Sequence, residues 1–288
     1  MRGLAEYAMS GRRQAILVAV LFGLIPLLYP LSGAVVALVV LRRGLQEGLI
    51  VLLWALLSAG LHWLAGSTSP VIVLVSVTIL AVVLRNTHSW QKVLLAATVL
   101  GLALQLSLPL QSGYLAGFEQ AIEQTINERI AAGQPLQIPQ DGQIVVATPA
   151  QVVALLMSFY GALHMLLFTA SLMVARAWQA RLYNPGGFQQ EFHNLRLDPR
   201  LMAAVFGIVV AGIYGLPPLA EWVSLFCVIP VLIGLAVIHS VVASRKLGVI
   251  SLVISYLVLL LMSPVMMPLL VMLGFADSVI DIRKRLKK

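Results

Sequence analysis

The sequence predicts an all-α fold, a polytopic transmembrane helical bundle with about eight to ten membrane segments. Three observations lead there. Hydrophobic residues make up 60% of the chain and charged residues 10%, far below the roughly 25% charged residues of a soluble domain, and mean hydropathy is +0.97. Apolar runs recur from Ala15 to Phe275 with one sizeable polar interruption, so residues 1–288 read as a single integral-membrane domain. When these runs are threaded in order, eighteen of the nineteen Lys and Arg residues fall on one side, leaving Arg129 on the other. That bias orients the chain in a bacterial cytoplasmic (inner) membrane, multi-pass, with both termini cytoplasmic.

The elements follow in order. Residues 15–28 run outward from Arg12 and Arg13, Pro26 and Pro30 break the chain, and residues 31–41 return to Arg42 and Arg43. Each leg is shorter than the roughly 20 residues of a full crossing. Two tilted short helices and a re-entrant pair covered by protein both fit. A cleaved signal fits less well, because a second apolar run begins before any small-x-small site closes the first. Residues 45–65 lead out to the turn at 66–70, residues 71–84 return to Arg85, and residues 93–110 lead out again. Residues 150–178 come back in, 201–216 lead to Pro217-Pro218, 223–243 return to Arg245 and Lys246, and 247–262 go out. Pro264 and Pro268 break the chain before a short return at 269–276 and the basic tail at 283–288. Pro-broken short helices are therefore expected at both ends.

Two segments lie outside the spans. In the external segment 111–148, Tyr114, Leu115, Phe118, Ile122, Ile126 and Ile130 recur at helical spacing, with Glu119, Glu123, Gln124, Asn127 and Glu128 on other faces. This is an amphipathic helix. Its acidic face favours docking on protein over binding anionic lipid, and the loop after it carries Pro135, Pro139 and Asp141-Gly142. The cytoplasmic loop 183–199 opens on a turn at Asn184-Pro185-Gly186-Gly187, followed by Phe188, Phe192 and Leu195 at helical spacing.

Within the spans polar groups are few, and the ligand-binding candidates are read from them. They are His164 near mid-membrane with Tyr160 one turn away, Gln105 in an outer half, His62 and Trp63 at an outer end, and Glu221 and Trp222 after Pro217-Pro218. His239 falls near the inner surface. The spans hold no carboxylate pair of the kind a proton- or sodium-coupled carrier needs. The chain also lacks a Gly-x-x-x-x-Gly-Lys loop, a His-Glu-x-x-His motif and a Gly-x-Ser-x-Gly elbow. No catalytic residue, metal site or cofactor is expected, and the chain is not read as an enzyme. The single Cys227 lies in an apolar run and excludes an intrachain disulfide. The basic residues flank apolar runs, which explains them without nucleic acid.

The Pro-broken first hairpin ending in Leu41-Arg42-Arg43-Gly44, the loop from Asn184-Pro185-Gly186-Gly187-Phe188 to Phe192-His193-Asn194-Leu195-Arg196, and the stretch 274–285 resemble the YybS-like family. These are bacterial predicted membrane proteins of unknown function, grouped distantly with S components of energy-coupling-factor transporters. The resemblance implies an S-component-like small-molecule-binding protein acting in uptake. It also implies a membrane coupling subunit held at the small face Ala15, Ala19 and Gly23. The alternative is a non-transporting scaffold that engages a cytoplasmic or envelope-assembly protein through Gly186, Gly187, Phe188, Phe192 and Arg196. The partners expected on either reading are the lipid bilayer, one such protein, and a small-molecule ligand on the first.

Overall fold

The structure is a computed structural model describing residues 2–140 and 143–285. In chain order its helices are α1 (Arg2–Ser10), α2 (Arg12–Leu24), α3 (Tyr29–Arg43), α4 (Leu45–Leu64), α5 (Ser69–Thr87) and α6 (Trp90–Ser107). A turn of 3-10 helix, Leu108–Leu110, leads into α7 (Ser112–Ala131) and a hairpin of β1 (Gln137–Gln140) and β2 (Gln143–Val146). Then come α8 (Pro149–Ser158), α9 (Tyr160–Tyr183), α10 (Gly187–His193), α11 (Pro199–Ile213), α12 (Leu219–Ser244), α13 (Gly248–Leu261), α14 (Ser263–Ile280) and α15 (Ile282–Arg285). Among the described residues six stretches are long and apolar enough to cross a membrane: α4, α5, α6 with its 3-10 turn, α8 with α9, α12 and α14. This is a multi-pass helical bundle with membrane-spanning helices.

The core forms around α3. Every residue from Ser32 to Leu41 is buried, as a helix that is apolar on all faces must be, and α2, α4, α5 and α9 surround it. At its end helical donors run out: the Val40 carbonyl still accepts from Gly44 N–H, and a neighbouring helix supplies a further donor. Arg85 donates through Nη1 to the carbonyls of Val40 at 3.0 Å and Leu41 at 2.8 Å.

Hydrogen bonds between helix ends sort the bundle into two ends. At one, Arg43 reaches the Met9 carbonyl, Arg12 pairs with Glu47, Asp198 N–H donates to Gln91, and Arg176 meets Glu191. These elements carry the basic residues predicted to share a side. At the other end lie the contacts of α2 with His62, of α5 with His164, and of α8 with Gln105 and Ser224.

Close crossings are made by glycine. Gly101 of α6 and Gly161 of α9 face each other, and a Cβ at 161 would lie 2.6 Å from the Gly101 carbonyl oxygen. Gly274 of α14 sits on the Pro230 carbonyl of α12, and Gly234 of α12 on the Leu270 carbonyl of α14.

Three expectations are corrected. The loop after α7 contains an antiparallel hairpin with Gln137 opposite Val146. Its expected Asp141-Gly142 turn lies outside the described residues. The last span is not a short helix at 269–276: α14 starts at Ser263, places Pro264 in its first turn, and continues through Pro268 to Ile280. Proline in a first turn removes only a donor that had no helical acceptor. Asp277 and Arg283, the latter placed in the basic tail, are buried against each other, with Arg283 Nη2 2.6 Å from Asp277 Oδ2.

Candidate functional site: the outer polar residues and a cavity at the basic end

The predicted ligand-binding residues form three separate groups, and the most nearly central group is bonded within the chain. His164 is 2% exposed. Its Nδ1 lies 2.9 Å from the Tyr160 carbonyl. A carbonyl only accepts, so Nδ1 carries the proton and Nε2 accepts from the Ser69 hydroxyl at 3.1 Å. Both ring nitrogens are engaged, and the Tyr160 ring covers the imidazole at 4.4 Å between centroids. Ser69 is the first residue of α5, so His164 sits toward that end of the bundle and not at its middle.

Gln105 closes the break between α8 and α9. Its Nε2 donates to the Met157 carbonyl at 3.0 Å, and its Oε1 accepts from Gly161 N–H at 2.9 Å. Ser224 donates to the next carbonyl, Ser158, at 2.5 Å. Backbone groups released by a helix break at membrane depth must be satisfied by protein, and Gln105 and Ser224 do this.

The other candidates lie apart. His62 Nε2 donates to the Gly23 carbonyl at 2.8 Å, at the end of α2. Trp63 is 63% exposed. Glu221 is exposed in the first turn of α12, with Trp222 half-buried beside it. The small face expected to meet a second subunit is occupied from within: Ala15, Ala19 and Gly23 are buried, and Ser58 of α4 fills the place of a Gly23 side chain.

At the basic end the loop 183–199 folds back as α10 and roofs a cavity of about 640 Å³ between α9, α12 and α13. Gly186 takes φ +85° to start the helix, a conformation glycine adopts without penalty. Aromatic rings then run across the roof. Trp90 meets Phe188 at 6.2 Å, Phe188 stacks on Phe192 at 5.9 Å, Phe192 meets His239 edge-on at 5.2 Å, and His239 meets Tyr256 at 5.8 Å. His239 Nε2 and the Tyr256 hydroxyl are 2.9 Å apart. The predicted partner contacts Phe188 and Phe192 are therefore partly buried and turned toward this cavity, while the turn residue Gly186 is exposed and Gly187 half-buried.

Ion pairs hold the roof. Glu191 accepts from Trp90 Nε1 at 3.0 Å and from Arg176 Nε at 2.9 Å. Arg283 donates to the carbonyls of His193 at 2.5 Å and Leu195 at 2.9 Å while paired with Asp277. Arg196, the fifth predicted partner contact, pairs with Asp281. Its hydrogen bond holds the Asp281 carboxyl well below the usual carboxylate range, and that pair raises the Arg196 guanidinium in return. Among the described residues no group of three His, Cys, Asp or Glu side chains is placed to hold a metal ion.

Sequence reading missed the His239–Tyr256 pair. One signal was available: the two residues lie on either side of the turn between α12 and α13, within about two helical turns of it, so an antiparallel return brings them near each other. Comparison with protein-family models, curated proteins and solved structures finds no match.

Proposed function

We propose that this chain is a small-molecule-binding protein of a bacterial cytoplasmic membrane, YybS-like in kind, with both termini inside, acting in uptake and not in catalysis. The six long spans, with α11 and α13, make eight segments, and counting α2 and α3 makes ten. The supporting observation for binding is the cavity beneath α10. Its volume falls in the roughly 300–1,000 Å³ range of ligand pockets, with apolar walls and a few convergent polar groups. The proposed site therefore moves from the His164 and Gln105 group, whose hydrogen bonds serve the fold, to His239, Tyr256 and Phe192. A coupling subunit would meet a face other than Ala15, Ala19 and Gly23. The scaffold alternative draws less support, since Phe188 and Phe192 are engaged by the chain's own rings.

Native mass spectrometry of the gently purified protein tests this reading. The wild type is expected to retain a small molecule that Leu252→Trp, which fills the cavity from α13, excludes while the thermal midpoint holds. Equal retention by both proteins would remove the cavity from consideration.

A further inference from the structure

The cavity's chemistry also bears on what class of molecule it holds, and this step rests on the cavity being the ligand site. Its walls are apolar: Met173 and Val174 of α9, Val242 of α12, and Val249 and Leu252 of α13 line it. Among the described residues no Asp or Glu lines it. The nearby Glu191 carboxylate is committed to Arg176 and Trp90. The polar side chains that line it are Gln189, His193, His239, Lys246 and Tyr256, and of these Lys246 brings a full positive charge. Lys246 lines the cavity from the turn between α12 and α13, at φ +54°, and forms no ion pair among the described residues.

The His239–Tyr256 pair adds a donor whichever way its proton sits. If the Tyr256 hydroxyl donates to Nε2, neutral His239 keeps its proton on Nδ1. If Nε2–H donates, the Tyr256 hydroxyl proton is left over. A spare donor on the pair and an ammonium without an ion-pair partner line the same cavity and favour an anionic acceptor, and charge-assisted hydrogen bonds are the stronger kind.

The outer wall supplies the rest. None of the residues of α13 is buried, and Ile250, Leu257, Leu260 and Leu261 are exposed along it. In a bilayer that surface meets lipid tails, so the cavity is separated from the acyl region by one lightly packed helix. A molecule with an apolar chain can enter there sideways while its head stays at the basic end.

We propose that the cavity binds an amphiphile with one anionic head, a carboxylate or phosphate monoester on an apolar chain, its head held by Lys246 and the His239–Tyr256 pair. The test is direct titration of the full chain, in nanodiscs of zwitterionic lipid, with radiolabelled hexadecanoate, hexadecyl phosphate and hexadecanol. Leu252→Trp supplies the background. The anions are expected to bind at least about tenfold tighter than the alcohol, and Lys246→Gln to reduce that preference to under about threefold, with Lys246→Arg restoring it. Which anion binds more tightly separates a carboxylate from a phosphate source. If the alcohol binds as tightly as the anions and Leu252→Trp still abolishes all binding, the head-group assignment falls and the cavity reading stands. A Lys246→Gln protein with unchanged preference also overturns the assignment. Binding that ignores Leu252→Trp overturns both.

Discussion

Gln105 illustrates how a polar residue in an apolar helix can serve the fold alone. Its one amide meets the Met157 carbonyl and the Gly161 N–H, two backbone groups at the α8–α9 break. Leaving a buried backbone group unsatisfied costs about 1–3 kcal/mol. Gln105→Ala is accordingly expected to destabilise the protein by about 2–4 kcal/mol in a denaturation series while leaving small-molecule retention unchanged; loss of retention without loss of stability would return Gln105 to the site. Asp277 carries more. Its side chain is wholly buried with Arg283, whose guanidinium also caps the carbonyls after α10. Removing one member of a buried pair costs about 3–5 kcal/mol, because the other charge stays behind. Asp277→Ala should show that cost, and a double-mutant cycle with Arg283→Met should show coupling of about 1–3 kcal/mol. At this scale sequence position identified Gln105 and His164 as unusual and placed Tyr160 one turn from His164, but could not name Ser69, Met157 and Gly161, the partners on other helices. Asp277 and Arg283 gave the opposite error. Beside a run of basic residues they look solvated, and only the fold of the loop at 194–197 encloses them.

Most spans were legible as elements, since continuous apolar runs bounded by basic residues and turn residues leave little choice. The misses concern proline and the hairpin. Pro264 and Pro268 read as a break, yet one lies in a first turn and the other removes a single interior bond, which packing against α12 outweighs. The hairpin had a usable signal, Asp141-Gly142 followed by Ile144, Val145 and Val146. It was masked by Pro139, which argues against a central strand but is tolerated in a two-stranded ribbon that has only edges. Helix crossings were not legible at all, because a glycine does not announce its partner. Gly274 lies against the Pro230 carbonyl, and Gly234 against the Leu270 carbonyl. Gly274→Ala must push α14 off α12, with an expected cost of about 1–3 kcal/mol in the denaturation midpoint. Gly60→Ala in α4, where an added methyl meets open space, is the control and should be neutral or slightly stabilising.

For the whole molecule, two independent observations agree. Threading by charge assigns helix ends to two sides, and the hydrogen bonds between helices gather those same ends into two groups. The bundle is asymmetric: α3 is buried from Ser32 to Leu41, whereas α13 has no buried residue and walls the cavity beneath α10. Sequence pointed to the opposite end for ligand binding because histidine and glutamine there stand out against apolar neighbours. At the basic end the same residue types are lost among charges and loop residues. The most direct measurement is a cryo-electron microscopy map of the full chain in nanodiscs. Density bordered by Phe192, His239 and Tyr256, continuing along α13, is the expected result. A map with α13 closed onto α12 and ligand density beside His164 instead would contradict it.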